Sequence, residues 1–370
     1  MRTSEYVSAG HPDKIADFIS EFILDKYLEK DPNVKYAVEV QIKDRYVTLA
    51  GEITSSFKPS RRTITRWVRA AIDDLGYTKE YKKRWGKENT ICGDDVKVTC
   101  HISRQSPDIA QGVEEKNGWG DQGIYFGYAE SNEKSYMLPL DYYLARDLGQ
   151  RLYYTARQYP EMGLGIDIKT QITLKNDDTT MDIIIAIPTL YETTSDDFVW
   201  QIIEEFLEQT WDDFGISIDT ITINGTGKYQ IHGPVGDCGT TGRKLVVNFY
   251  GGNCPIGGGC PWTKDPSKSD LTLNLYARDI AIKELVRYNA ERPYGHHSIC
   301  QLSSCIGQSK VGISIRIYNE NNSQIFEKHY YRDISPNELI KIYGLKNPIY
   351  KKLLYSDLKY DSEWDGYYPE

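Results

Sequence analysis

Gly10-His11-Pro12-Asp13-Lys14 sets an imidazole, a carboxylate and an ammonium side by side, where an apolar pattern of helical spacing begins. Free backbone N–H groups and the helix dipole make such a start attractive to phosphate, and Pro12 suits a first helical turn. These types fit a phosphate, a metal ion and a second phosphate oxygen. They also fit a plain cap by Ser8 or Asp13 beside a solvated lysine. A second concentration runs from Gly225 to Gly259, with 11 of the chain's 30 glycines in 35 residues. Glycine lets backbone N–H groups approach an anion closely. Lys228, Arg243 and Lys244, then Lys264 and Lys268, bring cations to the same region, while Asp237, Asp265 and Asp270 offer carboxylates for Mg²⁺ or a ribose. Gly236 and Gly242 enclose five residues and Arg243 precedes Lys244, so this is no Walker A loop. A polyphosphate cradle and a run of ordinary turns are the two readings. A third stretch, Arg104-Gln105-Ser106-Pro107-Asp108-Ile109-Ala110-Gln111-Gly112 through Gly118-Trp119-Gly120-Asp121-Gln122-Gly123, is polar and long for a connection. Loops of that kind serve as lids or binding loops, or simply as surface connections.

The elements that must position these residues follow from apolar periodicity. Ile15, Phe18, Ile19, Phe22, Ile23 and Tyr27 predict a helix over Ser8–Lys30, ended by Asp31-Pro32. Extended stretches follow at Val34–Ile42 and Tyr46–Ile53, then a helix from Ser60 to Gly76 and a strand at Val96–Ile102. The grammar returns with helix Leu138–Tyr154, strands Thr170–Leu174 and Met181–Ile187, and helix Asp196–Trp211. It returns again with strand Lys244–Tyr250, helix Asp270–Tyr288, strand Val311–Tyr318 and a short helix from Ser335. Three blocks of helices and strands predict an α+β or α/β architecture, with helices covering one face of each sheet.

A chain of 370 residues is long enough for two or three domains and needs no disulfide staple. Its 44 basic and 53 acidic residues give a net charge of −9, which argues against nucleic acid or an anionic membrane as partner. The longest apolar run, Met181–Pro188, is strand-sized. The start of the chain has no apolar signal-peptide core. Seven scattered cysteines without a CxxC pair read as reduced thiols, hence a cytoplasmic protein. Six histidines without HxH or HExxH spacing argue against zinc, and the adjacent pair His296-His297 is expected to diverge.

Taken in order, six motifs resemble the S-adenosylmethionine synthetase (methionine adenosyltransferase) family: Ser8–Lys14, Gly51-Glu52-Ile53-Thr54, Gln105–Gly112, Gly120–Gly123, Gly233–Lys244 and Lys264-Asp265-Pro266-Ser267-Lys268. The resemblance runs from about residue 3 to beyond Pro348. It implies three similar α/β domains about a pseudo-threefold axis, with segments 1–104, 124–232 and 233–370 as the domains and 105–123 as a gating loop and connection. It implies synthesis of S-adenosylmethionine from ATP and L-methionine. His11, Lys169, Arg243, Lys244 and Lys264 would surround the triphosphate, and Asp167, Lys228, Tyr229, Asp237 and Cys260 the adenosine and reacting centre. Glu52, Gln105, Asp121, Asp237 and Lys268 would contact methionine. Two Mg²⁺ ions, with Asp13 and Asp270 as carboxylate ligands, and a K⁺ at Glu39 are the implied metals. A homodimer with shared active sites, or a homotetramer, is the implied assembly. The chain departs from the family at Ala9 and at Cys260-Pro261-Trp262-Thr263, and its gating loop is short. A tripolyphosphatase or another ATP-dependent transferase, and a non-catalytic nucleotide-binding subunit that regulates a true synthetase, are the competing readings.

Overall fold

The computed structural model describes residues 1–104, 117–176 and 178–356. Strand β1 (Arg2–Val7) leads into α1 (Pro12–Leu28), the hairpin β2 (Lys35–Lys43) and β3 (Tyr46–Thr54), helices α2 (Arg61–Asp74) and α3 (Lys79–Trp85), and β4 (Lys97–Ser103). Next come β5 (Gly123–Glu130), α4 (Leu140–Gln158), the hairpin β6 (Lys169–Lys175) and β7 (Thr180–Ala186), α5 (Glu192–Phe214) and β8 (Ser217–Ile223). The last segment holds β9 (Gly239–Thr240), α6 (Leu245–Asn248), α7 (Ser269–Glu291), β10 (His297–Ser304), β11 (Lys310–Tyr318), β12 (Gln324–Asp333), α8 (Pro336–Ile342) and α9 (Tyr350–Ser356).

Three four-stranded sheets result, in the orders β9-β2-β3-β4, β1-β6-β7-β8 and β5-β10-β11-β12. Each is an antiparallel hairpin with a strand added on either side. The outer strand beyond the hairpin is parallel in the first two sheets, where α2–α3 or α5 makes the crossover, and antiparallel in the third. The strand on the other edge is always borrowed. The N-terminal strand β1 pairs with β6, β5 pairs with β10, and β9 returns to pair with β2. This cyclic exchange gives the three units their pseudo-threefold relation. Gly239 is required at the return, since a Cβ there would lie 2.0 Å from the Pro12 carbonyl oxygen.

Periodicity explains most elements. On β2 the inward side chains Tyr36, Val38, Val40 and Ile42 alternate with more exposed ones. Helix α2 turns Ile64, Val68, Ala71 and Ile72 inward, and the Ser60 hydroxyl caps it by accepting the Thr63 N–H at 3.1 Å. Helix α1 is buried almost all round, packed among β2, β9, α2 and α9. A central helix of that kind is positioned from every side, which suits it to carry a site. One apolar cluster, from Tyr6 to Leu354, joins all three units.

Three expectations need correction. Lys244–Tyr250 is not a strand. Its β-branched run reads as extended, but α6 occupies it, because Val247 and Asn248 turn inward together: the Val247 carbonyl accepts from Tyr142 and the Asn248 amide from Lys14. His296 and His297 do not diverge. His296 lies just before β10, and the two Nδ1 atoms are 3.2 Å apart. Trp119, expected within the gating loop, is wholly buried. Its backbone N–H donates to the Gln308 carbonyl at 3.0 Å and its carbonyl accepts from the Gly307 N–H at 2.8 Å. Residues 105–116, including Gln105 and Gly112, lie outside the described residues. Trp119→Ala should therefore cost about 3–5 kcal/mol, the range for a buried large aromatic. Urea unfolding checks this, and a loss below about 1 kcal/mol would show that Trp119 anchors nothing.

His232 joins α3 to the glycine-rich segment. Its ring packs against Tyr77, Tyr81 and Trp85, with Nε2 2.6 Å from the Tyr81 hydroxyl and Nδ1 2.7 Å from the Gln230 carbonyl. Burial pulls its pKa down to about 4. The unfolded chain thus takes up a proton near pH 6.5 that the folded chain refuses, and stability falls as pH drops from 6.5 towards 4, by up to about 3 kcal/mol. In denaturation series at pH 7.5 and pH 4.5, wild type should lose more stability than His232→Gln. Parallel losses would show that this ring does not titrate on unfolding.

Candidate functional site

The sequence places chemistry at the N-terminus of α1, and the fold brings partners there from two other segments. His11 is the N-cap residue, its Nδ1 accepting the Asp13 N–H at 3.1 Å. That bond leaves Nε2 to carry the proton. Burial, then the charges of Lys244 and Lys169, push its pKa down to about 2, so the ring is a neutral hydrogen-bond donor. The Asp13 carboxylate is buried. One oxygen lies 2.6 Å from the Lys244 ammonium, and the other accepts the Thr240 N–H at 2.9 Å and lies 3.6 Å from Arg243 Nε. Lys14, also buried, reaches Asn248 Oδ1 at 2.6 Å.

From the middle unit comes Asp167, which accepts the Tyr229 hydroxyl at 3.0 Å and the Gly233 N–H at 2.7 Å. Burial raises its pKa to about 6, against the pull of those bonds and of Lys169. Lys169 and Asp237 are exposed, yet both act electrostatically on His11 and on Asp167, which places them close to both. Lys228 is exposed beyond β8, just before Tyr229. One group thus forms from His11, Asp13, Asp167, Lys169, Tyr229, Asp237, Arg243 and Lys244.

A second group gathers farther along the edge of the β2–β3 sheet that β9 joins, nearer the start of β2. Lys264 bridges to Ala37, which is in register with Glu52, itself in register with Ser103. Glu52 and Lys264 thereby share one row on the sheet face opposite α1. The Lys264 ammonium lies 2.6 Å from Asp270 Oδ2. Burial alone would lower its pKa, but the Asp270 charge and hydrogen bond raise it. Glu39 accepts from the Thr241 hydroxyl and from the Thr263 hydroxyl at 3.2 Å. Burial drives the Cys260 thiol well above its ordinary pKa, so it is no thiolate nucleophile. Lys268 is the N-cap of α7, with Asp270 in the first turn. Asp121 and Asp270 both act on Tyr125, whose hydroxyl donates to Ser269 at 2.6 Å. Gln105, the remaining candidate, falls outside the described residues.

Asp13 and Asp270, the two candidate magnesium ligands, thus belong to different groups. Among the described residues no three His, Cys, Asp or Glu side chains converge to hold a metal ion. The sequence reading missed Asn248, Thr241 and Thr263, which carry no motif. It also missed Asp17 and Glu21, whose signal was present: Asp13, Asp17, Glu21 and Asp25 recur every four residues on a helix that is buried all round.

The chain can now be set beside known proteins. Residues 1–107, 116–229 and 231–364 match the N-terminal, central and C-terminal domains of S-adenosylmethionine synthetase. Two curated relatives carry the name S-adenosylmethionine synthase. The one from Acholeplasma laidlawii (strain PG-8A) is 35% identical over 375 residues, covering 95% of this chain and 91% of the relative. The one from Sulfurovum sp. (strain NBC37-1) is 35% identical over 366 residues, covering 95% and 90%. A solved structure, described as an unusual S-adenosylmethionine synthetase from Campylobacter jejuni, superposes with a TM-score of 0.81 at 30% identity, covering 97% of this chain and 92% of the other. With all three domains matched in order along nearly its whole length, the chain belongs to the S-adenosylmethionine synthetase family.

Proposed function

We propose that this chain makes S-adenosylmethionine from ATP and L-methionine, the family's substrates. The observation that carries the reading is the set of donors and cations around the start of α1: a neutral His11 with Lys169, Arg243 and Lys244 beside a buried Asp13. Methionine sulfur has no proton to lose, so attack at the ATP 5′ carbon needs no general base. The difficulty is the leaving triphosphate, and donors held in place before the reaction stabilise its growing charge. His11 would donate through Nε2–H, while Lys169, Arg243, Lys244 and Lys264 pair with phosphate oxygens. Asp167, Lys228, Tyr229, Asp237 and Cys260 would border the adenosine. Glu52, Gln105, Asp121, Asp237 and Lys268 would hold methionine, the carboxylates facing its ammonium and the lysine its carboxylate. Hydrolysis of the triphosphate to pyrophosphate and phosphate would use the same cations.

Enzymes of this family depend on metal ions, and the donors here suit hard cations. Asp13 and Asp270 are carboxylates, the hard oxygen donors that Mg²⁺ takes together with substrate phosphates. A pair of Mg²⁺ ions would supply charge neutralisation on the triphosphate. Glu39, with the Thr241 and Thr263 hydroxyl oxygens, offers an all-oxygen site for K⁺. A homodimer, or a dimer of dimers, with active sites shared between subunits is the assembly this reading takes. No helix among the described residues is long and apolar enough to cross a membrane, and the seven free cysteines suit the cytoplasm.

Incubating the purified chain with ATP, Mg²⁺, K⁺ and methionine, with mass spectrometry of the products, tests the reading. S-adenosylmethionine with pyrophosphate and phosphate is expected. Phosphate release from tripolyphosphate alone would favour a tripolyphosphatase, and binding without turnover a regulatory subunit.

A further inference from the structure

The four carboxylates of α1 each take backbone N–H groups from the segment 240–351. Asp13 accepts from Thr240 at 2.9 Å, Asp17 from Gly242 at 3.0 Å, Glu21 from Thr263, and Asp25 from Tyr350 and Lys351, both at 2.9 Å. Two of these N–H donors have a feature in common. Gly242 stands immediately before Arg243-Lys244 and Thr263 immediately before Lys264, and both adopt a left-handed backbone, with φ of +75° and +72°. For Thr263, a β-branched residue, that conformation is strained and persists only where its surroundings impose it. Asp17 and Glu21 have no exposed surface, and one oxygen of each, Asp17 Oδ2 and Glu21 Oε2, has no hydrogen-bond partner. A buried carboxyl with an unmatched oxygen costs stability. Stability alone therefore does not explain two such groups one helical turn apart.

We propose that Asp17 and Glu21 are positioning residues: they fix the two left-handed turns that aim Arg243-Lys244 and Lys264, so that one rigid helix sets the spacing of both cationic segments. This rests on the reading of those cations as triphosphate-binding groups. The helix repeat supplies the ruler, since side chains four residues apart stack along one face. Thr263 is held from both sides, by Glu21 at its N–H and by Val38, whose N–H donates to its carbonyl at 3.0 Å.

Asp17→Ala and Glu21→Ala should each lower kcat about a hundredfold, the scale of a 1 Å misplacement, with methionine KM unchanged. Asp17→Asn and Glu21→Gln, which keep an acceptor oxygen, should recover most of that loss. In double-mutant cycles, Asp17→Ala added to Lys244→Ala, and Glu21→Ala added to Lys264→Ala, should lose little beyond the lysine variant alone, because each carboxylate acts through its lysine. If an alanine variant does not fold, Gly242→Ala carries the test. A Cβ there meets only Cys260 at 3.5 Å, so its effect is backbone strain, and it should show the same kcat-selective loss, non-additive with Arg243→Ala. Folded alanine variants with wild-type kcat, losses that multiply in the cycles, or a fully active Gly242→Ala would each overturn the proposal. If the lysine variants themselves leave both half-reactions intact, it is the triphosphate reading that falls.

Discussion

Asp13→Asn and Asp270→Asn should each lower turnover by about two to three orders of magnitude at saturating ATP and magnesium, the scale for removing one preorganised charge-stabilising group. Asparagine preserves the size of each side chain. At position 13 it also leaves an oxygen for the Thr240 N–H, so the start of α1 should stay folded. What disappears is the charge that faces Lys244 at 2.6 Å in one group and Lys264 at 2.6 Å in the other. Each lysine is then left without its counter-charge and each proposed magnesium ion without its protein carboxylate. The measurement is kcat across a magnesium series, with circular dichroism to confirm folding. Near-normal turnover in both variants would sink the metal assignment, whatever became of the rest of the site.

Arg243→Ala and Lys264→Ala should pull the two half-reactions apart. Both steps stabilise phosphate charge, but at different oxygens, and these cations come from different groups. Arg243 is half exposed and only 3.6 Å from Asp13, whereas Lys264 is more enclosed and paired directly with Asp270. Each loss should cost about 10²–10³ in the step where its oxygen carries the new charge, with a smaller effect on the other step. The ratio of S-adenosylmethionine formed to tripolyphosphate hydrolysed is therefore the quantity to follow. If neither rate moves in either variant, the glycine-rich segment is a set of turns and not a phosphate cradle.

Helix α1, the hairpins β2–β3 and β6–β7, and helices α2, α4, α5 and α7 were legible in the sequence, because apolar residues recur in each at helix or strand spacing. The borrowed strands were not. β9 is two residues long, and one threonine beside the strand-breaking Gly239 makes no readable pattern; only the approach of β2, some 200 residues away in sequence, makes them extended. β12 alternates too weakly to read, with both Tyr331 and Arg332 exposed at an edge. The candidate site followed the same division. His11, Asp13, Arg243, Lys244 and Lys264 sit in motifs whose residue types announce charge chemistry. Asp17, Glu21 and Asn248 do their work through contacts with distant backbone or side chains, and no spacing within the sequence reports a partner more than 200 residues away.

The rotation of edge strands among the three sheets also sets the order in which the chain can be finished as it leaves the ribosome. β1 is made first but stays an open edge until Lys169–Lys175 emerges, and β2 waits for Gly239–Thr240. β5 has no partner until His297–Ser304 is synthesised. Unpaired edges of this kind are templates for wrong pairing while they wait, and closures over such sequence separations are slow. The first unit, which holds the start of the site, is completed only after most of the middle unit exists. A nascent chain halted before residue 239 would present both an open sheet and a helix whose carboxylates had nothing to hold.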